Sequence, residues 1–171
     1  MIFGPSSRRN LSWALTGAIG LAAILLPTAC STPANAAEDC IVMANMDEKI
    51  TNIHEKDPNG RFPNVGGSAT FTDYFYDANN KLLITDEGRA LAPFKDSRGH
   101  MIEVGWEVLT LSDGTIEDGG QYDITDGFDG KWISVPAVGT SGRYLGYTGE
   151  RKFLLVIPGK LLKAEIRLCK P

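Results

Sequence analysis

The sequence predicts an all-β protein, an eight-stranded antiparallel up-and-down barrel with a short N-terminal helix or lid. Three observations support this prediction. Beyond Gly67 the chain consists of short runs with β-strand composition, several of which alternate between apolar and polar residues. Turn-forming stretches rich in Gly, Asn and Asp separate these runs, as at 77–80 and 112–114. No connection is long enough for a crossover helix, so the strands should pair as hairpins and close around an interior that holds one ligand.

The segment 37–66 is predicted to precede the barrel as the helix or lid. Between 40 and 57 its apolar residues fall near helical spacing, with charged residues between them. These apolar residues are Ile41, Val42, Met46, Ile50 and Ile53. The turn sequence at 57–60 then ends the run, although 41–43 fits the start of a strand equally well.

The barrel domain is predicted to span residues 67–171. Its first strand, 69–76, alternates along its length, and the long run 101–111 continues across the 112–114 turn into 115–124. The other β-prone runs are 82–85, 90–94, 132–138, 144–147, 151–157 and 161–169.

Residues 1–36 have the composition of a secretory signal peptide. Arg8 and Arg9 precede an uncharged run from 11 to 26, and the small residues at 34–36 are of the kind that a signal peptidase recognises. An alternative is that Cys30, at the end of a stretch that resembles a lipobox, is acylated and forms a lipid anchor. Both alternatives predict a secreted or cell-envelope protein.

The charge of the mature chain restricts its partners. Cleavage after Ala36 leaves 135 residues and removes two of the 17 basic residues and none of the 21 acidic ones, so the net charge becomes −6. An acidic domain without a Lys/Arg cluster lacks the surface that phosphate backbones require. Nucleic acid is therefore excluded as a partner, and anionic membrane surfaces are disfavoured.

Two cysteines remain after the leader, one near each end of the mature chain. Cys40 and Cys169 form an even pair in a compartment that permits disulfides, so we expect them to be bonded to each other. The alternative is two buried thiols.

The sequence contains little of the side-chain chemistry that enzymes commonly use. His54 and His100 are the only histidines, and neither lies at metal-ligand spacing from a second His or a Cys, which argues against a zinc site. Two solitary histidines do not suggest a Ser/His/Asp triad, and the glycines lack the strand–loop–helix context of a phosphate-binding loop. We predict no cofactor.

Acidic residues on alternating strands are the remaining polar candidates. Asp73 shares one strand face with Phe71 and Phe75, so it is either a desolvated carboxyl with a raised pKa or a residue that faces water. Glu103 and Glu107 alternate around Gly105, and for these two we expect solvent exposure.

The segments 109–116 and 136–149 carry a resemblance to a known family. The second segment, Pro-Ala-Val-Gly-Thr-Ser-Gly-Arg-Tyr-Leu-Gly-Tyr-Thr-Gly, is its most specific part. Together with residues such as Gly120, Asp123 and Trp132, these segments resemble the allene oxide cyclase-like barrels, a lipocalin-like architecture. Within that group the sequence is most similar to the Diels–Alderases that form spirotetronates, of the abyssomicin type. The resemblance covers roughly residues 67–168.

The resemblance implies an eight-stranded barrel that is usually a homodimer and has a water-poor lumen. In such enzymes a linear polyketide, with a diene and an alkene on a tetronate or tetramate, undergoes an intramolecular [4+2] cycloaddition without a cofactor. A shaped apolar cavity suits this chemistry, because holding two π systems in a near-attack geometry lowers the barrier without a nucleophile or a metal.

Strand parity and the resemblance together predict the substrate-binding residues. These are Phe71, Asp73, Ile124, Val135, Phe153 and Leu155. Phe71 and Arg151 match positions of the abyssomicin-type enzymes, whereas Gly105 and Val135 stand where those enzymes have tyrosines. Ile124, Phe153 and Leu155 replace a phenylalanine, a tryptophan and a methionine. We expect a wider lumen with fewer hydrogen-bonding groups.

Two functions fit these observations. The first is a cyclase or isomerase of the Diels–Alderase type, acting on an apolar polyketide in antibiotic biosynthesis. The alternative is an exported barrel that binds or carries an apolar small molecule without catalysis. We favour the cyclase because the 139–149 signature, Phe71 and Asp73 are retained, although the absence of both tyrosines favours binding alone.

Overall fold

The computed structural model describes residues 39–58, Gly60 and 62–171, and within these residues the chain forms a closed barrel of eight antiparallel strands. Each strand pairs with the next along the chain, and β8 pairs with β1 to close the barrel. The predicted up-and-down barrel is therefore confirmed. The strands are β1 (Cys40–Lys56), β2 (Gly67–Tyr76), β3 (Leu82–Lys95), β4 (Met101–Leu111), β5 (Gly114–Asp123), β6 (Ile133–Gly139), β7 (Thr148–Ile157) and β8 (Leu161–Cys169). The predicted signal peptide 1–36 and Cys30 lie outside the described residues.

Strand β1 corrects the prediction of an N-terminal helix or lid over 37–66. Its residues pair with both β2 and β8, so the barrel begins at Cys40 rather than at Gly67. Two register shifts interrupt β1, and each contains an asparagine in the left-handed region, Asn45 at φ 57° and Asn52 at φ 49°. Each bulge changes the face on which the following residues lie. The period of two is lost as a result, and the apolar spacing imitates that of a helix.

Two smaller elements also differ from the prediction. The runs 82–85 and 90–94 belong to one continuous strand, β3, with a register shift between Leu91 and Phe94. Residues 144–147 are not a strand, because Gly142–Tyr144 is a 3₁₀ helix in the turn between β6 and β7.

A five-residue helix, α1 (Ile124–Phe128), connects β5 to β6. Among the described residues, no helix has the length and apolar character needed to cross a bilayer.

The barrel interior has three layers, because successive inward-facing residues of one strand lie at successive depths. A lower apolar cluster and an upper apolar cluster enclose a charged layer. The lower cluster includes Met46, Phe75, Ile84, Leu109, Ile116, Tyr144 and Ile166. The charged layer consists of Glu48, Asp73, Asp86, Glu107, Asp118 and Arg151, all buried. The upper cluster includes Ala92, Met101, Ile124, Ile133, Val135, Phe153 and Leu162.

The disulfide between Cys40 and Cys169 joins the first and last strands. The two residues are partners in the β1–β8 register, and the bond spans 129 residues of sequence. The predicted pairing is therefore present in the structure.

Replacing both cysteines by alanine should lower the free energy of unfolding by roughly 4–5 kcal/mol, because the unfolded chain regains the entropy of an open loop of this length. Guanidinium denaturation measures this loss. Wild-type protein unfolded in excess reductant is the control and should show a similar loss. An unchanged unfolding midpoint in both cases would contradict the assigned bond.

Candidate active site

The upper half of the barrel contains a cavity of about 390 Å³. Its aromatic walls include Phe71, Tyr122 and Phe153, and the charged layer forms its floor. Lining residues that are exposed to solvent, such as Ile53 and Phe128, mark its opening. The segment between β1 and β2 contributes Phe62 and Pro63, and α1 contributes Ile124 and Phe128. The predicted lid region 37–66 thus supplies cavity residues, but most of it does so as part of the barrel wall.

Five of the six predicted substrate-binding residues line this cavity. They are Phe71, Asp73, Ile124, Phe153 and Leu155. Val135 is not among the lining residues. Its side chain points inward, as parity requires, but it lies opposite Arg151 in the β6–β7 register and is packed within the upper apolar cluster. The alternation of side chains along a strand predicts whether a residue faces the barrel interior, but it does not predict how deep along the barrel axis that residue lies.

Two glycines set the positions of the aromatic walls. Gly88 is the partner of Phe71 on β3, and a Cβ atom at Gly88 would lie 2.1 Å from Cε2 of the Phe71 ring. The ring therefore covers the backbone of β3, and any side chain there would displace it. Gly105 leaves no empty space either, because a Cβ at this position would lie 3.1 Å from both Cε1 and the hydroxyl oxygen of Tyr122. Tyr122 on β5 thus covers Gly105 on β4, the position at which the abyssomicin-type enzymes have a tyrosine of their own.

Arg151 is the centre of the charged layer. Its guanidinium is fully buried and lies 5.4 Å from the Phe75 ring centre and 4.9 Å from that of Phe153. Nη2 donates to both carboxylate oxygens of Glu48 at 2.6 Å. Nη1 lies 2.9 Å from Oε2 of Glu107. One arginine therefore holds together acidic residues from opposite sides of the barrel.

The layer contains more carboxyl groups than one guanidinium neutralises, and burial raises the pKa values of its three aspartates. Burial, followed by the charge of Glu48, raises the pKa of Asp73 to about 9. Burial, followed by the charge of Glu107, raises the pKa of Asp86 to about 11. Burial also raises the pKa of Asp118 to about 8, against the charge of Arg151. These three groups are carboxylic acids at neutral pH, and Asp73 is the one that lines the cavity.

Glu103 and Glu107 are both buried, which corrects the expectation that they face solvent. Only 3% of Glu103 and 8% of Glu107 is exposed. Both lie on the inward face of β4, the face that also carries Met101 and Leu109. Oε2 of Glu103 accepts a hydrogen bond from the Tyr122 hydroxyl at 3.0 Å. Burial raises the pKa of Glu103 to about 7, while this hydrogen bond opposes the rise.

Sequence reasoning missed Glu48, Asp86 and Asp118, although a pattern marks all the acids of the charged layer. Each of them lies two residues from an apolar residue of the lower cluster on the same strand face. The pairs are Met46/Glu48, Phe75/Asp73, Ile84/Asp86, Leu109/Glu107 and Ile116/Asp118. Five such pairs on five consecutive strands would have indicated one acidic layer.

The chain matches the domain family described as the allene oxide cyclase barrel-like domain, over residues 47–168. It belongs to this family. The match covers most of β1 and nearly all of the remaining barrel. No curated protein matches the sequence.

Solved structures similar to this allene oxide cyclase-like barrel include Diels–Alderases. AbnU, described as an exo-specific intermolecular Diels–Alderase, is 28% identical, with a TM-score of 0.71 over 78% of this chain and 98% of AbnU. A nonspecific haem-binding cyclase that catalyses a [4+2] cycloaddition during neoabyssomicin biosynthesis is 26% identical, with a TM-score of 0.73 over 78% of this chain and 68% of that protein. The Diels–Alderase AbmU from Streptomyces koyangensis, at 24% identity and a TM-score of 0.71 over 80% of this chain and 71% of AbmU, shares the fold.

The specific segment of the resemblance, 139–149, lies at the opposite end of the barrel from the cavity. Tyr144 is buried in the lower apolar cluster and donates a hydrogen bond to Oδ1 of Asp113 at 2.8 Å. A Cβ atom at Gly139 would lie 1.8 Å from the carbonyl oxygen of Tyr144, so only glycine allows this turn to fold against the strand. The segment therefore closes the lower end of this allene oxide cyclase-like barrel, and it indicates the fold rather than the chemistry.

His100 has acidic neighbours that its sequence spacing did not reveal. Its Nδ1 lies 2.8 Å from Oδ2 of Asp123, and together with Asp96 these side chains form a group of potential metal ligands. Arg98 already pairs with both carboxylates, each at 2.7 Å. Asp123 also caps α1 by accepting from the backbone N–H of Asp126. The group thus fixes the helix that carries Ile124 and Phe128 to the cavity opening.

Proposed function

We propose that this protein is a cyclase that folds a linear polyketide in its cavity and accelerates an intramolecular [4+2] cycloaddition, as part of antibiotic biosynthesis. The observation that carries the proposal is an apolar, aromatic-walled cavity of about 390 Å³ in a barrel whose neighbours include an intermolecular Diels–Alderase at 28% identity and a [4+2] cyclase at 26% identity. A cavity of this size suits one small folded ligand.

The proposed reaction needs shape more than reactive side chains. Two carbon–carbon σ bonds form as two π bonds are consumed, the remaining π bond shifts, and no atom leaves, so the product is an isomer of the substrate. Phe71, Tyr122 and Phe153 would hold the diene and the alkene about 3–3.5 Å apart, and the apolar walls would exclude water.

We assign one polar role in the reaction to Asp73, which belongs to the charged layer at the floor of the cavity. As a carboxylic acid at neutral pH it can donate a hydrogen bond to a carbonyl conjugated with the alkene. Such a bond withdraws electron density from the alkene and makes it a better partner for the diene. Burial and the neighbouring acids keep the proton on Asp73 against the opposing charge of Arg151, because a further negative charge in this layer is unfavourable.

Phe153→Ala should slow cyclisation by about 10²-fold, because the enlarged cavity lets the substrate move by about 1 Å from its reactive geometry. Chromatography that separates the linear substrate from its isomer measures the rate. Phe94→Ala is the matched control, since the partly exposed Phe94 lies outside the cavity, and its rate should equal that of the wild type. If Phe153→Ala changes only the affinity and no isomer forms with either protein, the alternative function of binding without catalysis is supported.

We also propose that the protein functions outside the cytoplasmic membrane, either secreted or in the cell envelope. The disulfide supports this, because such bonds persist in oxidising compartments. The intact mass of the protein recovered from its host tests the proposal. A start at Ala37 indicates the released form, an acylated Cys30 indicates the lipoprotein, and an intact residue 1 contradicts export.

We also propose that the protein is a homodimer, as the resemblance implies. Adjacent strands β3 and β4 expose Leu91, Trp106 and Val108 on one face, where the Arg89 guanidinium lies 5.1 Å from the Trp106 ring centre, and we propose that a second copy covers this face. Light scattering on the purified protein should give twice the chain mass, and Trp106→Glu should give the mass of one chain. A monomeric wild type would contradict the dimer.

A further inference from the structure

Three acids that line the cavity, Asp73, Glu103 and Glu107, have a buried oxygen without a hydrogen-bond partner among the described residues. The charge of Arg151 acts on Asp73 and Glu107 but not on Glu103. Glu103 is 3% exposed and lines the cavity. The Tyr122 hydroxyl donates to its Oε2, but among the described residues no group donates to its Oε1. Buried carboxyl oxygens are normally hydrogen-bonded, because leaving them without a partner is unfavourable. An orphan oxygen on a cavity wall therefore points to a ligand that supplies the missing donor.

The charges around the cavity indicate what kind of donor this is. Among the described lining residues five are acidic, and Arg151 is the only cation. Arg151 is occupied by Glu48 at 2.6 Å and by Glu107 at 2.9 Å. No described cation is left to pair with Glu103, so a ligand that brings a positive charge would correct the imbalance.

The walls near Glu103 suit a cation attached to an apolar body. Tyr122 packs its ring edge-to-face on Phe153, with 5.6 Å between the ring centres. Aromatic faces attract ammonium groups, especially where water is excluded. The remaining walls, including Phe71 and Leu155, are apolar and suit the rest of such a ligand.

We propose that the cavity binds an apolar ligand with one basic nitrogen, and that its ammonium group donates a hydrogen bond to Oε1 of Glu103. This names a feature of the substrate of the proposed cyclase and rests on that function only in placing the substrate in this cavity. A tetronate or tetramate head group is itself an acid and would add a negative charge beside Glu103 and Asp73. The substrate class therefore differs from the one implied by the resemblance.

The ionisation of Glu103 is compatible with this role. Its pKa of about 7 reflects burial and the opposing bond from Tyr122. An ammonium group within hydrogen-bond distance favours the carboxylate and replaces the missing partner.

Three fluorescent probes that share an anthracene ring and are of similar size test the proposal on the wild-type protein. They are 9-(aminomethyl)anthracene, 9-anthracenemethanol and 9-anthracenecarboxylate, which differ in one polar group. At pH 7 we expect the amine to bind about tenfold more tightly than the alcohol, because its hydrogen bond is charge-assisted, and the carboxylate to bind about tenfold more weakly than the alcohol. A carboxylate that binds as tightly as the amine would overturn the proposal.

Glu103→Gln isolates the residue. Its amide oxygen can still accept from Tyr122, so the fold should be retained, and the advantage of the amine over the alcohol should disappear, because the amide is uncharged and its nitrogen cannot accept from the ammonium group. Glu117→Gln is the matched control, because Glu117 is exposed on β5, and it should keep the full advantage. An amine that keeps its advantage in a folded Glu103→Gln protein would show that another group binds the nitrogen and would overturn the assignment.

The outcomes separate this inference from the proposed function. If the alcohol binds and the amine shows no advantage, the inference is wrong and the cavity remains a ligand site. If the amine is preferred but linear precursors do not cyclise faster, the inference stands and the proposed cyclase is wrong. If none of the three probes binds, the inference is wrong, and the isomerisation rate of linear precursors decides the proposed function separately.

Discussion

Arg151→Met should lower the free energy of unfolding by about 3–5 kcal/mol at neutral pH, because it leaves buried acids without their counter-charge. Methionine fills a similar volume, so the loss reflects charge more than an empty space. The loss should be smaller at pH 5, where Glu48, whose pKa is raised by burial, takes up a proton at lower cost. Chemical denaturation at pH 5 and pH 7 measures both values.

Two variants serve as controls for the Arg151 experiment. Arg98→Met removes an arginine that also pairs with two carboxylates but lies at the surface, and its unfolding curve should overlay that of the wild type. Glu48→Leu combined with Arg151→Met removes both members of the closest pair, and it should recover part of the lost stability. If Arg151→Met is as stable as the wild type at pH 7, the charged layer is not held together by this residue.

The stability of the wild-type protein should fall as the pH rises from about 5 to 8. Asp73, Asp86 and Asp118 keep their protons in the folded state up to pKa values of about 9, 11 and 8, whereas the unfolded chain releases them near 3.8. The folded state thus binds more protons than the unfolded chain throughout this range. Each of these protons lowers the free energy of unfolding by up to about 1.4 kcal/mol for every unit that the pH rises. Denaturation midpoints at several pH values and constant ionic strength measure the slope.

The surface carboxylates act in the opposite direction but in a different pH range. The Tyr147 hydroxyl lowers the pKa of Asp39, and the Tyr144 hydroxyl lowers that of Asp113, so their contribution is lost only as the pH falls below about 4. Asp86→Asn should flatten the slope between pH 5 and 8, because it removes one proton-binding group from the charged layer. A wild-type stability that rises over this range would contradict protonated acids in the barrel.

The regular strands could be predicted from the sequence because their alternation is uninterrupted. The run 101–111 coincides with β4, and Phe153 and Leu155 lie on the cavity as parity requires. Strand β1 could not be predicted in this way, because the bulges at Asn45 and Asn52 change the facing of its apolar residues within one strand.

The sequence did not reveal how deep each inward-facing residue lies within the barrel. Val135 and Phe153 both face inward, yet Val135 lies beside the charged layer and Phe153 above it. The stagger between strands determines these depths, and it depends on pairing across the whole barrel. For the same reason, the acids that meet at Arg151 come from strands far apart in sequence and could not be grouped by spacing along the chain.

The central claim is that this cavity accelerates a cycloaddition. The measurement that tests it most directly is the rate at which linear polyketide precursors isomerise with and without the protein. Ala90→Trp fills the cavity from its wall, whereas Val138→Trp places the same ring on the exposed face of β6, and circular dichroism confirms that both variants fold. We predict faster isomerisation with the wild type and Val138→Trp, and the uncatalysed rate with Ala90→Trp. Equal rates with and without the wild-type protein, across several precursors that bind, would contradict the claim and leave a carrier.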